Sequence, residues 1–324
     1  MAVQPPSDRA DFDGFADFYD RILQPYLVGK ENARARAVKL FGVTLMAAAA
    51  VVLGLLTYGP WPGANHEIAT AVGFGGFFLS SFILSRVRGE ITHGLLARIC
   101  EGLALDYARK ARRPRYVETL QQHGLLPSFN KEEWEDRVAG IRNGAGFELC
   151  EGQLKVVRNS GRRRTERTVF HGQLIAIAYP SEFYGETVLR RDRGVFNRFT
   201  KPGDGFAQVG LASPAFEKAF EAWSTDQVEA RALLDPIVLE RFQELERLFE
   251  GKALRAAFVD GELLLAIETG DRLNMGSMFK RLDDPARVET ILKEFDLVFD
   301  LIDVLIKRFD QPIDGPVTAE ALRA

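Results

Sequence analysis

The chain has little of what chemistry at a site usually needs. Of its 324 residues only two are cysteine, Cys100 and Cys150, and only four are histidine. Two thiols so far apart, with no CxxC spacing, exclude a disulfide framework and the common zinc and dithiol motifs, and both read as buried thiols. His66, His93, His123 and His171 are scattered, none paired at metal-ligand spacing. His66-Glu67 opens like a zinc-protease motif, but Thr70 stands where the second histidine is required. Gly251-Lys252 lacks the leading glycine and the following hydroxyl residue of a phosphate-binding loop, and no GxSxG elbow occurs. No cofactor or metal is therefore expected, and no enzymatic activity. An excess of basic residues is missing as well. A net charge of -3 and a pI near 6.0 give no reason to expect nucleic acid.

Charge is also missing locally. Leu40 to Tyr58 and Ile68 to Leu84 contain no charged residue. A helix rises about 1.5 Å per residue and a bilayer core is about 30 Å thick, so each run is just long enough to span. A cleavable signal peptide would sit at the extreme N-terminus, whereas here about forty residues rich in acids and aromatics come first. Buried core helices seldom lack charge on every face for so long. A transmembrane hairpin is the expectation. Gly73-Phe74-Gly75-Gly76 falls inside it and is no dinucleotide loop.

Lys30, Arg34, Arg36 and Lys39 precede the first run, Arg86, Arg88 and Arg98 follow the second, and the loop from Gly59 to Glu67 has neither lysine nor arginine. That bias places both flanks, and so both termini, in the cytoplasm, with the Pro60-Trp61-Pro62-Gly63 turn on the far side of the cell membrane. Gly73, Gly76 and Ser80 are small enough to let membrane helices approach closely, either within the hairpin or between two copies in a homo-oligomer. No ionisable residue lies in either run, which leaves a transporter or channel without a pathway residue.

Before the hairpin, Phe12, Phe15, Phe18, Ile22 and Tyr26 recur at helical spacing over residues 7 to 27. This stripe can lie on lipid or on the protein itself. Asp11, Asp13, Asp17 and Asp20 on its other face would be repelled by anionic lipid, which favours the protein. After the hairpin, Leu95, Leu96, Ile99, Leu103 and Tyr107 predict a helix, with a basic run of Arg109, Lys110, Arg112, Arg113 and Arg115 ending near Pro114.

From Gly146 short β segments follow: 147–150, 154–157, 168–178, 186–190 and 206–211. Asp226 with Glu229 signals a helix start, as does Asp235-Pro236, whose helix Gly251 ends. Asp260-Gly261 between two apolar runs is a strong hairpin signal. A last helix starts at Asp284-Pro285 with the stripe Val288, Ile291, Leu292, Phe295, Phe299 and Ile302. The expected fold class is α+β: the two-helix transmembrane hairpin, then a soluble domain with a mainly antiparallel sheet and packed helices, of which a partly open pleckstrin-like roll is one form. The expected boundaries are an N-terminal amphipathic segment over 1–38, the hairpin over 39–86, a juxtamembrane helical region over 87–142, the cytoplasmic domain over 143–310 and a tail over 311–324.

One segment resembles a known family. Phe216, Glu217 and Phe220, then Ser224, Asp226, Gln227, Val228, Glu229, Ala230 and Arg231, then Leu233, Leu234 and Pro236, are similar to the signature of bacterial membrane proteins carrying domain of unknown function 3137. Phe170-His171-Gly172 and the paired apolar runs fit the same layout, and Ala232 departs from it where an aromatic residue is expected. The resemblance implies a bacterial inner-membrane location and, as a partner, a LemA-type membrane protein; it supplies no activity. Physically the segment reads as a strand ending near Trp223, a helix capped by acids, and Arg231 paired with Glu229 or Asp226.

One concentration of positive charge is left: Arg162, Arg163, Arg164 and Arg167, then Arg190, Arg191, Arg193, Arg198 and Lys201, with Phe196 and Phe199 between them. Each basic residue near an anionic leaflet contributes about 1 kcal/mol, so these arginines are candidates for contact with membrane lipid or an acidic partner. The two functional expectations are a membrane-anchored interaction or regulatory module that binds a protein partner, and a domain that binds anionic lipid headgroups or a small ligand.

Overall fold

A computed structural model describes residues 3–60, 63–161, 163–179, 182–191, 202–211, 214–248, 252–269 and 276–310. The chain divides into two compact units: residues 1–103 with 274–291, and residues 104–273 with 292–324.

The first unit is helical. A 3-10 turn (Ala10–Phe12), the short helix α1 (Phe15–Phe18) and a π turn (Tyr19–Leu23) run into α2 (Gln24–Tyr58), and α3 (Asn65–Gly102) follows. The apolar stretches of α2 and α3 make both long and apolar enough to cross a membrane, and 0% and 11% of their most apolar windows is buried. The helices meet where they carry small residues: a Cβ on Gly76 would overlap that of Ala48, and one on Gly73 would touch Val52. Ser80 is fully buried and its hydroxyl donates to the Phe77 carbonyl at 2.9 Å.

Two expectations for this unit are corrected. The buried N-terminal stripe is Phe12, Phe15, Tyr19, Leu23 and Leu27, while Ile22 is exposed, because the π turn inserts a residue and rotates the following helix. Phe18 and Tyr26 are half-buried against α3, where the Tyr26 hydroxyl donates to Ile91 O and the Arg98 guanidinium stacks 4.0 Å from its ring. The helix after the second apolar run ends at Gly102, before Leu103 and Tyr107, since Ala104 turns the chain left-handed at φ 54°.

Among the described residues, the second unit is a nine-stranded antiparallel sheet with helices on both faces. Its strands are β1 (Asp106–Lys110), β2 (Lys131–Arg142), β3 (Ala145–Ser160), β4 (Arg163–Ala178), β5 (Thr187–Arg191), β6 (Ala207–Val209), β7 (Phe220–Ser224), β8 (Lys252–Val259) and β9 (Glu262–Glu268), in the order β1-β2-β3-β4-β9-β8-β5-β7-β6. On one face Cys150, Leu174, Val188, Ala257 and Leu264 form a core with Val117 and Leu120 of α4 (Val117–Gln122). On the other, Phe258 meets Phe242 of α7 (Pro236–Leu248), and Phe147 meets Phe299 of α8 (Ala286–Asp310). Gly152 and Gly172 are register partners in mid-sheet: a Cβ on the first would overlap the Trp134 indole, and one on the second the Ile267 carbonyl oxygen.

The region expected to be helical as far as residue 142 holds β1 and β2, and the basic run belongs to an edge strand and its loop: Arg113 pairs with Glu132 at 2.9 Å and Arg115 with Glu262. A bulge between Glu135 and Val138, with Asp136 at φ 47°, shifts the alternation of β2, so that Trp134 and Val138 are buried on opposite faces of the sheet. Asn143-Gly144, at φ 48° and 83°, then turns it into β3, as Asp260-Gly261 turns β8 into β9. The two short segments expected over 147–157 are one strand, because Gly152 is a packing contact and not a turn.

Candidate functional site

Two clusters of polar residues in the second unit draw on the sequence candidates, and they use charge in opposite ways. The first is a corner where β5 meets β7. Ser224 Oγ lies 2.9 Å from Thr187 Oγ1, donates to the Asp226 carbonyl at 2.8 Å or to that of Glu186 at 3.0 Å, and accepts from Asp226 N. Asp226 caps α6 (Gln227–Leu233), its Oδ1 accepting from Val228 N and Glu229 N at 2.9 and 3.0 Å. Glu229 does not reach back as in a capping box; its two oxygens accept from Tyr184 N and Gly185 N at 2.8 and 2.9 Å.

The expected Arg231 ion pair is accordingly absent: both acids are held by backbone N–H groups and Arg231 is exposed. Gln227 Nε2 donates to Ala207 O, and Glu217 of the short helix α5 (Pro214–Glu217) accepts from Leu211 N. Phe220 is buried, and Pro236 opens α7, where Asp235 Oδ1 accepts from Val238 N. Phe216 is half-buried. Each of these bonds is made to the chain itself.

The second cluster is the far end of the β3–β4 hairpin. Among the described residues, β2 pairs with β3 only up to Lys155, and β9 with β4 only from Gly172 onward. Asn130 closes the β2 side, its side chain bonding both N and O of Val157. Beyond that the hairpin is a two-stranded ribbon in which residues 163–168 are all exposed. The pairs Val156–Arg167, Arg158–Thr165 and Ser160–Arg163 fall on one side by strand alternation. Arg158, Arg163 and Arg167 thus share a side that carries no carboxylate. Arg164 falls on the other, 3.8 Å from Glu166, which also binds Lys131 at 3.0 Å.

The remaining arginine candidates are dispersed. Arg190 is held inside the unit, donating to the His123 carbonyl, and its guanidinium pKa is lowered by burial and by Arg255 nearby. Arg191 pairs with the buried Glu246 and stacks 4.8 Å from Phe220. Arg162, Arg193, Arg198, Lys201, Phe196 and Phe199 lie outside the described residues, as do Trp61 and Gly251. Arg158 belongs to the ribbon and is missed by counting runs of charge; writing the two strands antiparallel about Gly161 would have found it.

Sequence reading also misses a polar trio in mid-sheet. Glu151 Oε1 lies 3.1 Å from His171 Nε2, and Gln173 Nε2 donates to Glu151 Oε2 at 3.1 Å. Cys150 beside it is fully buried, and burial raises its thiol pKa to about 12, so it is no nucleophile.

Helices packed on an antiparallel sheet, in a chain with two long apolar helices, define an α+β protein of the class that combines a folded domain with candidate membrane helices. Residues 168–307 match the model of the family described as Protein of unknown function (DUF3137). The corner lies inside that match, and Arg158, Arg163 and Arg167 lie outside it. No curated protein matches the sequence. Among solved structures, the crystal structure of the mycobacterial trehalose monomycolate transport factor A, TtfA, is similar, with 12% identity and a TM-score of 0.37 over 69% of this chain and 98% of that one. So distant a likeness has no bearing on function.

Proposed function

We propose that the protein is a non-enzymatic, membrane-anchored interaction module whose ribbon receives an acidic segment of a protein partner. In this reading α2 and α3 cross the membrane as a hairpin, with the N-terminal flank and the sheet domain in the cytoplasm. The exposed apolar windows and the basic residues on both flanks support it, together with a connecting loop free of lysine and arginine.

The observation that carries the partner reading is the carboxylate-free side of the ribbon. Arg163 and Arg167 stand about 13 Å apart along β4, and Arg158 projects from β3 opposite the midpoint. An extended strand with acids at alternate positions repeats every 6.7 Å or about that, which matches the arginine spacing.

Anionic lipid is the second reading, favoured by the same three charges at about 1 kcal/mol each. It ranks lower because, among the described residues, Val156, half-buried, is the only apolar side chain of the hairpin on that face. The test is crosslinking in intact membranes, then purification of the full chain in mild detergent with wild type and an R158A/R163A/R167A variant side by side. A stoichiometric acid-rich protein companion lost in the variant is expected. A companion retained at wild-type level refutes the ribbon as its site, and loss of anionic lipid alone would transfer the ribbon to the second reading.

A further inference from the structure

The loop before α8 carries a large apolar side chain in an unusual position. Phe279 is 62% exposed, yet its ring packs edge-on against Phe41 at 5.8 Å between centroids. Phe41 is the second residue of the charge-free run of α2, directly after Lys39 and Leu40. Side chains on a helix lean toward its N-terminus, so the Phe41 ring lies toward the basic end of that run. Phe279 is therefore at the level where the apolar run gives way to Arg36 and Lys39, and exposed Lys280 follows it.

The exposure is held in place. Arg287 donates to the carbonyls of Ser277, Lys280 and Arg281 at 2.7, 2.8 and 2.8 Å, which folds the loop about its guanidinium. Arg34 donates to Met278 O at 2.7 Å, and Leu282 N donates to Glu31 Oε2 at 3.0 Å, which fastens the loop to α2. Met278 and Leu282 on either side are buried. The acids of the loop have partners on the chain itself: Asp283 pairs with Arg281, and Asp284 accepts from Ala286 N at the start of α8.

Resting on the reading that α2 crosses the membrane, we infer that residues 276–282 form a second membrane contact, with Phe279 inserted at the boundary between hydrocarbon and headgroups and Lys280 reaching the phosphates. An exposed aromatic beside a lysine is the chemistry of that interface. The occupant is the lipid of the leaflet around the base of α2, and the contact comes from a segment remote in sequence from both apolar helices.

The test uses the full chain in liposomes. Cys100 and Cys150 are both fully buried, so single cysteines added at Phe279, Met46 and Ser160 take a nitroxide label selectively. Collision with oxygen and with a water-soluble nickel chelate then reports depth. Met46, 67% exposed in mid-run, should collide with oxygen and not nickel, and Ser160 on the ribbon should show the reverse. For Phe279→Cys oxygen should dominate, at a shallower depth than Met46. Lys280→Cys, which removes no packed side chain, should read shallower still while remaining less nickel-accessible than Ser160. Nickel accessibility at 279 and 280 equal to that at 160, with Met46 in hydrocarbon, overturns the inference and leaves the spanning helices standing. Nickel accessibility at Met46 overturns the spanning reading and this inference with it.

Discussion

The corner at Ser224, Asp226 and Glu229 and the ribbon at Arg158, Arg163 and Arg167 are both clusters of polar residues in the second unit. At the corner each named acid accepts from two backbone N–H groups of its own chain. On the ribbon the three arginines stand on a side with no acid. A recognisable motif can thus be spent on architecture, while residues with no motif keep their bonding capacity for something else. The difference predicts opposite responses to substitution, stability at one place and association at the other.

The sharpest contrast comes from the sheet that supports both. Gly172→Ala would push a Cβ into the Ile267 carbonyl, and overpacking of this kind costs about 3 kcal/mol. Urea unfolding followed by the fluorescence of Trp134 and Trp223 should show that loss. At the corner, Glu229→Ala leaves two N–H groups without their charged acceptor and should cost about 2 kcal/mol by the same measurement. Asp226→Ala removes a helix cap and should cost about 1 kcal/mol. The triple ribbon variant should stay within about 0.5 kcal/mol of wild type, as exposed substitutions do, while losing its companion. A ribbon variant as unstable as Glu229→Ala would erase the distinction.

Acid sharpens the same contrast in the first unit. The Glu31 carboxyl is held below its usual range, first by the Arg34 hydrogen bond and further by Leu282 N–H, against an opposing effect of burial. A depressed folded pKa contributes stability that is present above the unfolded value, about 4.3, and lost as pH falls through the folded one. The protection of the Leu282 amide, its hydrogen-exchange rate relative to that of an unstructured amide at the same pH, should therefore be high at neutral pH and fall below about pH 4. An amide equally protected at pH 3 would mean that the ion pair does not hold the loop.

Where local chemistry sets the structure, the sequence was readable. Asp260-Gly261, Asp235-Pro236 and Asp226 each act within four residues, and each lies where expected. The two apolar helices were equally plain, since lack of charge needs no partner to interpret. Partners distant in sequence hid the rest. Gly152 looks like punctuation until Trp134 lies over it, and Asn143-Gly144 reads as a hairpin turn only beside β2, whose pairing with β3 is not local. The ribbon needed Arg158 to be set opposite Thr165. Nothing local marks Phe279 as the neighbour of Phe41.

The clasp between Glu31 and Leu282 also imposes a timetable. The first unit takes its residues from both sides of 104–273, so the whole sheet segment must be made before residues 274–291 can close on α2. At roughly 5 to 20 residues per second of synthesis, the apolar helices and Glu31 wait some tens of seconds for their final contact. During that interval the nascent chain presents a carboxylate and an aromatic seat at the base of α2, and a polypeptide released before residue 274 never fills either.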